Sequence, residues 1–152
     1  MAKSLGFQPS VIYADPKAAM RWLEAAFGFE LALYLEGEDG AFIHCQMRYG
    51  DALISVGQEW SEAFKSPLRL DGKNTQLTSL QIDSDVDAHC ERARRAGAVI
   101  VAEPETQFYG DRSYRCLDPE GHHWSVSQTV EAVTADEALQ RVGGGMKITG
   151  WV

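Results

Sequence analysis

Four histidines are the residues of this chain best suited to bind a metal ion or transfer a proton. No pair of them shows the HxH or HExxH spacing that brings two imidazoles onto one metal. A site built from His44, His123 and a carboxylate such as Asp83 is conceivable. His89 lies among arginines in a predicted helix, which indicates a surface or half-buried position. His122 follows a turn, which favours a packing role.

Other catalytic patterns are missing from the sequence. No G-x-S-x-G elbow, phosphate-binding loop or dinucleotide fingerprint occurs. Asp118 and Glu120 resemble a carboxylate pair, but the turn Asp118-Pro119-Glu120-Gly121 explains Asp118 and leaves Glu120 in solvent. The odd, widely spaced set Cys45, Cys90 and Cys116 indicates reduced, buried thiols in the cytoplasm.

Length and charge exclude several classes of partner. The 152 residues suit one domain. No apolar run approaches the roughly 18 residues that span a bilayer, so no membrane partner is expected. The formal net charge of -8 argues against nucleic acid, whose phosphates require a basic surface. It is compatible with cationic ligands.

The secondary-structure elements that must position these residues are predicted to form an internal repeat of two copies. Each copy reads as a short apolar strand, an aspartate that caps a helix, and three strands joined by Gly and Asp turns. Asp15 and Asp85 stand 70 residues apart, as do Gln58 and Gln128. We therefore expect an α+β fold of tandem βαβββ modules.

The repeat divides the chain into four parts, which together form one domain and a tail. Module one covers residues 7–58, a polar linker 59–76, and module two 77–128. A C-terminal extension covers 129–152, and a short helix is expected from Ala135 to Val142.

Alternation along the strands predicts that each sheet has an apolar face under the helices and a polar face opposite. Ile43, Cys45 and Met47 take the apolar face, and the repeat places Arg115 opposite His44 in the other module. The polar face is not charged like a solvated surface, which favours a concave ligand cradle. The candidate ligand-binding residues on it are His44, Gln46, Ser55, Ser79, Gln81, Arg115, His123 and Ser125.

The repeat, the opening "PSVIYADPKAAMRWLEAAFGFE" and the closing "FYGDRSYRCLDPEGHHWSVSQ" resemble the vicinal-oxygen-chelate superfamily. Within it, the closing motif is most similar to the glyoxalase-like or bleomycin-resistance-like subgroup. The resemblance covers about Phe7 to Gln128. It implies a curved mixed-sheet cup with helices on the outer face, often completed across a homodimer.

Enzymes of this superfamily place metal ligands, two His with one or two Glu, on the first and last strand of each module. The matching positions here hold Gln8, Ser55, Ser79 and Ser125. Neutral amides and hydroxyls bind divalent catalytic metals poorly. The resemblance therefore implies a small-molecule-binding protein without metal or cofactor, of the kind that sequesters a drug or metabolite. The alternative is a metal-dependent lyase, isomerase or dioxygenase with displaced ligands.

Aromatic residues leave two further alternatives open. Trp60, Phe64, Phe108 and Tyr109 could form a stacking wall for a ligand, or pack loops and a dimer interface. An accessory module could instead act through its tail, with Trp151 docking on a partner or on the second copy of a homodimer.

Overall fold

Two four-stranded sheets form the fold of residues 6–151, the part of the chain that the computed structural model describes. In module one the elements are β1 (Ser10–Tyr13), α1 (Pro16–Phe27), β2 (Glu30–Glu36), β3 (Phe42–Tyr49) and β4 (Ala52–Gln58). Sheet one has the strand order β1-β4-β3-β2, in which β1 and β4 are parallel and the other neighbours antiparallel.

Module two repeats this arrangement. Its elements are β5 (Thr78–Gln81), α2 (Val86–Arg95), β6 (Val99–Thr106), β7 (Asp111–Leu117) and β8 (His123–Thr129). Sheet two has the order β5-β8-β7-β6, again with only the first pair parallel. The α+β fold of two βαβββ modules is confirmed.

Both repeat helices begin at the predicted aspartates. The Asp15 carboxylate accepts a hydrogen bond from Ala18 N at 2.9 Å, and Pro16 occupies the first turn of α1. Asp85 caps α2 by accepting from Asp87 N and Ala88 N. Such caps satisfy amides that have no partner within the helix. Gly28 ends α1 in the left-handed conformation, φ 81°, which favours glycine.

One apolar cluster joins the helix-facing sides of both sheets. Leu23 and Phe27 of α1, Val56 of β4 and Trp124 of β8 are fully buried in it. The rings of Phe27 and Trp124 lie 5.1 Å apart, so the end of α1 contacts the core of module two. Burial of large apolar side chains supplies the main free energy of folding.

Helices α1 and α2 pack on each other and hold the modules together. Trp22 Nε1 donates to Ala96 O at 2.8 Å, and Arg92 donates to Glu24 O and Ala25 O at 2.7 Å. Because each sheet turns its apolar face toward this helix pair, the two polar faces lie on the outer sides of the chain.

Ile43 departs from the predicted face. Its side chain is 57% exposed, although Cys45 and Met47 of the same strand are buried as expected. The pairing of Leu35 with His44 is followed by that of Glu36 with Phe42. Ile43 is therefore the extra residue of a β-bulge, where alternation breaks down.

The C-terminal extension carries the expected helix, α3 (Ala135–Val142). Thr134 and Glu137 form a reciprocal capping box at its start. Trp151 docks within its own chain, because its Nε1 donates to Val133 O at 2.9 Å. No helix among residues 6–151 has the length and apolar character to cross a membrane.

Candidate ligand-binding site

The polar face of sheet one combines neutral hydrogen-bonding groups with exposed leucines. One row runs across all four strands as Ser10, Ser55, Gln46 and Leu33. His44 lies on the same face, paired with Leu35. Gln46, Ser55 and His44 are half-buried, whereas Leu33 is 40% exposed. This face offers both polar and apolar contacts.

The polar face of sheet two has the same construction. One row comprises Ser79, Ser125, Arg115 and Ala102, and the next comprises Gln81, Ser127, Ser113 and Glu105. Ser127 Oγ donates to Gln81 Oε1 at 2.6 Å. His123 lies on this face at the start of β8 and is half-buried.

Arg115 occupies a different place in the repeat from the one predicted. It pairs with Ser125, as Gln46 pairs with Ser55, so Arg115 matches Gln46 and not His44. The match thus shifts by two residues, from His44 to Gln46, and the β7–β8 connection between paired positions is one residue longer than the β3–β4 connection. Arg115 is exposed, and its side chain forms no hydrogen bond or ion pair with other described residues. Its guanidinium is therefore available to a ligand or partner.

The four positions implied for metal ligands do not suit a metal ion. Gln8 Nε2 donates to Ser55 Oγ at 2.8 Å, and Ser79 pairs with Ser125 on neighbouring strands. None of these side chains supplies an imidazole or carboxylate. Residues 6–151 contain no group of three or more His, Cys, Asp or Glu arranged to hold a metal.

A single chain gathers only part of the candidate set. A cavity of about 480 Å³ between the modules is lined by Gln8 and Ser79, together with Phe29 and Trp124. His44 and Gln46 lie on sheet one, whereas Arg115 and His123 lie on sheet two. The cavity between the modules is lined by neither of these two groups.

The linker brings aromatic rings to the edge of sheet one. Trp60 and Phe64 stack with ring centroids 4.5 Å apart, and Trp60 is 65% exposed. Phe64 lines a cavity of about 400 Å³ with Ser10 and Ile12 of β1. Of the four aromatic residues considered for a stacking wall, Trp60 and Phe64 contact each other at this edge, whereas Phe108 and Tyr109 contact each other between β6 and β7.

Glu120 does not lie in solvent, and the prediction for this residue was wrong. Its carboxylate accepts from Ala14 N at 2.7 Å, Asp15 N at 2.9 Å and the hydroxyl of Ser66. The turn before β8 is thereby fastened to module one and to the linker. Sequence reasoning missed this role because the partners are distant in the chain.

Asp118 and His122 also bind module one to module two. Asp118 is buried and accepts from Tyr13 OH at 2.7 Å and Trp124 Nε1 at 3.2 Å. Burial, together with this carboxylate, raises the pKa of Tyr13 well above its usual value. His122 Nε2 donates to Ile12 O at 2.7 Å, which fits the predicted packing role.

His89 is more buried than predicted. It is 8% exposed, with Nδ1 2.8 Å from Tyr114 OH and Nε2 3.1 Å from Phe27 O. Desolvation by burial lowers the pKa of this imidazole, since it disfavours the charged form. His89 is a structural residue of the module junction.

The three cysteines are buried and free, as expected. Burial raises the pKa of Cys45 and of Cys90 to about 11 and that of Cys116 to about 12. Thiols with such high pKa values contain little of the reactive thiolate at neutral pH.

The leucines of β2 were missed as candidate contact residues. Leu33 and Leu35 pair with Gln46 and His44 and so share the polar face. Alternation in "ELALYLE" carries the signal, because Tyr34 packs on the core while the leucines on either side of it do not.

Comparison with known proteins gives the following likenesses. The sequence model of the glyoxalase/bleomycin resistance protein/dioxygenase superfamily matches residues 7–126. An uncharacterized protein of Mycobacterium bovis is 34% identical over 144 residues, which cover 90% of this chain and 93% of that protein.

Two solved structures illustrate the structural likeness. TioX from Micromonospora sp. ML1 is 28% identical with a TM-score of 0.63, over 82% of this chain and 99% of its own. TnmS3, an antibiotic binding protein from Streptomyces sp. CB03234, is 24% identical with a TM-score of 0.64, over 85% and 98%.

Proposed function

Because the chain belongs to the glyoxalase/bleomycin resistance protein/dioxygenase superfamily, we propose that it binds a small organic molecule without using a metal ion. The observation that carries this proposal is the set of neutral side chains at the four metal-ligand positions. Gln8, Ser55, Ser79 and Ser125 provide donors and acceptors for a polar ligand but no charged metal ligand.

The polar faces support ligand binding by their mixed chemistry. Small-molecule sites are largely apolar with a few fixed polar groups. On sheet one, Leu33 and Leu35 flank the fixed amide of Gln46 and the imidazole of His44. On sheet two, Arg115 adds an unpaired guanidinium that can bind an anionic or aromatic group.

The proposal includes a homodimer in which module one of one copy faces module two of the other. The two polar faces of one chain point apart, so a cup that contains both requires a second copy. Exposed apolar side chains favour this arrangement, because Leu33 and Leu35 lie on the polar face of sheet one and are 40% and 45% exposed, and exposed apolar surface marks interaction sites.

Two further observations are in keeping with the proposal. TnmS3 has the same fold and is an antibiotic binding protein, so the architecture is compatible with sequestration of a drug or metabolite. The three buried free thiols accord with a reducing compartment, and we propose a cytoplasmic location.

Metal content tests the proposal directly. Protein purified without a metal-affinity tag is assayed for bound metal and then titrated by calorimetry with Zn²⁺, Ni²⁺, Mn²⁺ and Fe²⁺. We expect neither bound metal nor binding. Near-stoichiometric metal, or micromolar binding lost in His44→Ala or His123→Ala, would overturn the proposal and favour an enzyme with displaced ligands.

A reconstructed site provides the positive control. The variant Gln8→His, Ser55→Glu, Ser79→His, Ser125→Glu places two imidazoles and two carboxylates at the four positions. We expect this variant to bind Zn²⁺ or Ni²⁺, since these groups are good ligands for both ions. A ligand is then sought by thermal-shift screening. We expect Gln46→Ala and Arg115→Ala to weaken the binding of that ligand.

A further inference from the structure

The C-terminal extension forms a cavity at the end of sheet two. It folds back beside the turn between β6 and β7, and together they line an open cavity of about 560 Å³. Its lining includes Tyr109 of the turn, Asp111 at the start of β7, Thr129 at the end of β8, and Val133 and Trp151 of the extension. The family match ends at residue 126, so this cavity depends on a part of the chain outside it.

Hydrogen bonds hold the extension against the turn. Gly110 O accepts from Val130 N at 3.0 Å and Glu131 N at 3.1 Å. Arg141 of α3 binds both oxygens of Glu131, at 2.6 and 3.0 Å. These contacts hold the start of the extension against the turn, and Arg141 balances the charge of Glu131.

The cavity presents aromatic surface and one carboxylate without a cation. Tyr109 is 42% exposed and Trp151 is 40% exposed. Asp111 accepts from Thr129 Oγ1 at 2.7 Å, and it forms no ion pair with another residue of the described chain. Aromatic faces attract cations and stack on planar rings, and a free carboxylate adds charge attraction.

The cavity is continuous with the polar face of sheet two. Ser127 donates to Gln81, and Gln81 Nε2 donates in turn to Thr129 Oγ1 at 3.0 Å. The series of hydrogen bonds thus runs from the centre of the polar face to Asp111. A molecule lying on that face can reach the cavity with one end.

We propose that this cavity binds a planar aromatic cation, or the planar cationic end of a larger ligand. The inference rests on the proposed function in one respect, namely that the same ligand also lies on the polar face. Stacking on Trp151 and Tyr109 selects a flat ring system, and Asp111 selects a positive charge over a neutral or negative one.

Calorimetric titration of the full chain with proflavine, a planar tricyclic cation, tests the inference against acridone, its uncharged counterpart. We expect proflavine to bind at least about tenfold more tightly than acridone. Asp111→Asn retains an acceptor for Thr129 and should abolish that preference. Trp151→Ala and Tyr109→Ala should weaken both probes.

The matched control is a carboxylate away from the cavity. Asp51→Asn neutralises an exposed side chain in the β3–β4 turn and should leave the binding of proflavine unchanged. The melting temperature of each variant, measured in parallel, identifies any loss of folded protein.

The outcomes separate this inference from the proposed function. Proflavine that fails to bind, or binds equally well to Asp111→Asn and Trp151→Ala, would overturn the inference. If Gln46→Ala or Arg115→Ala then weakens a screened ligand, the proposed function survives without the cavity. If proflavine binding is weakened in the cavity variants and in no other variant, the inference is supported even if the polar faces bind no ligand.

Discussion

Individual residues that suggest acid–base chemistry serve here to join distant segments. Glu120, Asp118 and His122 follow one another closely in the chain, yet their partners lie in β1, at the start of α1 and in the linker. Buried or half-buried polar groups are costly unless they are hydrogen-bonded. Their residue types therefore reflect module docking rather than catalysis.

Removing the Glu120 carboxylate should destabilise the protein. In Glu120→Ala, Ala14 N, Asp15 N and the Ser66 hydroxyl lose their acceptor, and Ser66 is fully buried. We expect the free energy of unfolding to fall by about 2–3 kcal/mol, measured by urea denaturation. Glu62→Ala is the control, because that side chain is 97% exposed and its loss should cost less than about 0.5 kcal/mol. Equal costs would contradict the proposed fastening.

His89 should make the stability depend on pH. Its pKa is lowered in the folded protein, so the unfolded chain binds the proton more readily. The stability that the neutral imidazole confers is complete above the unfolded pKa of about 6.5 and is lost as pH falls through the lower folded pKa. Protonation would also place an N–H against Tyr114 OH, whose proton then needs another acceptor.

The measurement is the free energy of unfolding between pH 8 and pH 5. We expect the wild type to lose stability below about pH 6.5 and His89→Phe to show a flatter profile over the same range. The variant is less stable overall, because Tyr114 OH and Phe27 O lose their partner. Parallel profiles would show that another group causes the pH dependence.

At the scale of elements, the turn between β6 and β7 decides where the C-terminal extension lies. Gly110 has φ of +99°, and a Cβ there would collide with the backbone oxygen of Glu131. Glycine is thus required at position 110 for two reasons, the positive φ angle and the close approach of the extension. Tyr109 of this turn and Asp111, the first residue of β7, both line the cavity.

Gly110→Ala should displace the extension. Gly97→Ala is a matched control, because Gly97 has φ of +95° but a methyl group there would meet nothing within 4 Å. We expect Gly97→Ala to lose about 1–2 kcal/mol from backbone strain alone. Gly110→Ala should lose more and should expose Arg141 to trypsin, as measured by urea denaturation and limited proteolysis. Similar losses and similar cleavage would argue that the extension is not held by this contact.

At the scale of the whole molecule, the arrangement of the modules determines how a binding cup can form. The helix pair lies between the sheets and leaves the two polar faces on opposite sides. In a homodimer with two-fold symmetry, the polar face of sheet one in each copy would lie opposite the polar face of sheet two in the other copy. Two equivalent cups would result.

Half-site variants test this arrangement without knowledge of the ligand. One chain carries Gln8→His and Ser55→Glu, and the other carries Ser79→His and Ser125→Glu. If cups form between copies, mixing the chains after denaturation and refolding should complete the metal site in about a quarter of the cups. Zinc binding by calorimetry should appear in the mixture but not in either chain alone. Binding only by the chain with all four substitutions would place the cup within one chain.

Local signals in the sequence were sufficient for the fold and for much of each polar face. Asp15 and Asp85 start helices through contacts within three residues, and alternation correctly separated Cys45 and Met47 from His44 and Gln46. Such contacts depend only on residues close in the chain, so the same local sequence pattern produces the same contacts. The predicted face of Ile43 was wrong because a bulge interrupts alternation there. The predicted match of Arg115 to His44 was wrong by two residues, because strand register also depends on the length of the turns.

By itself, the sequence determined the two βαβββ modules, their helix boundaries and the neutral residues Ser55 and Ser125 on the last strands, because these follow from local hydrogen bonding and from strand periodicity. Only the tertiary structure decided that Glu120 fastens the modules, that His89 is buried and that Trp151 closes a cavity with Tyr109 and Asp111. Each of these depends on contacts between residues far apart in the chain. Such contacts are set by the packing of the two modules and of the extension, which no local pattern encodes.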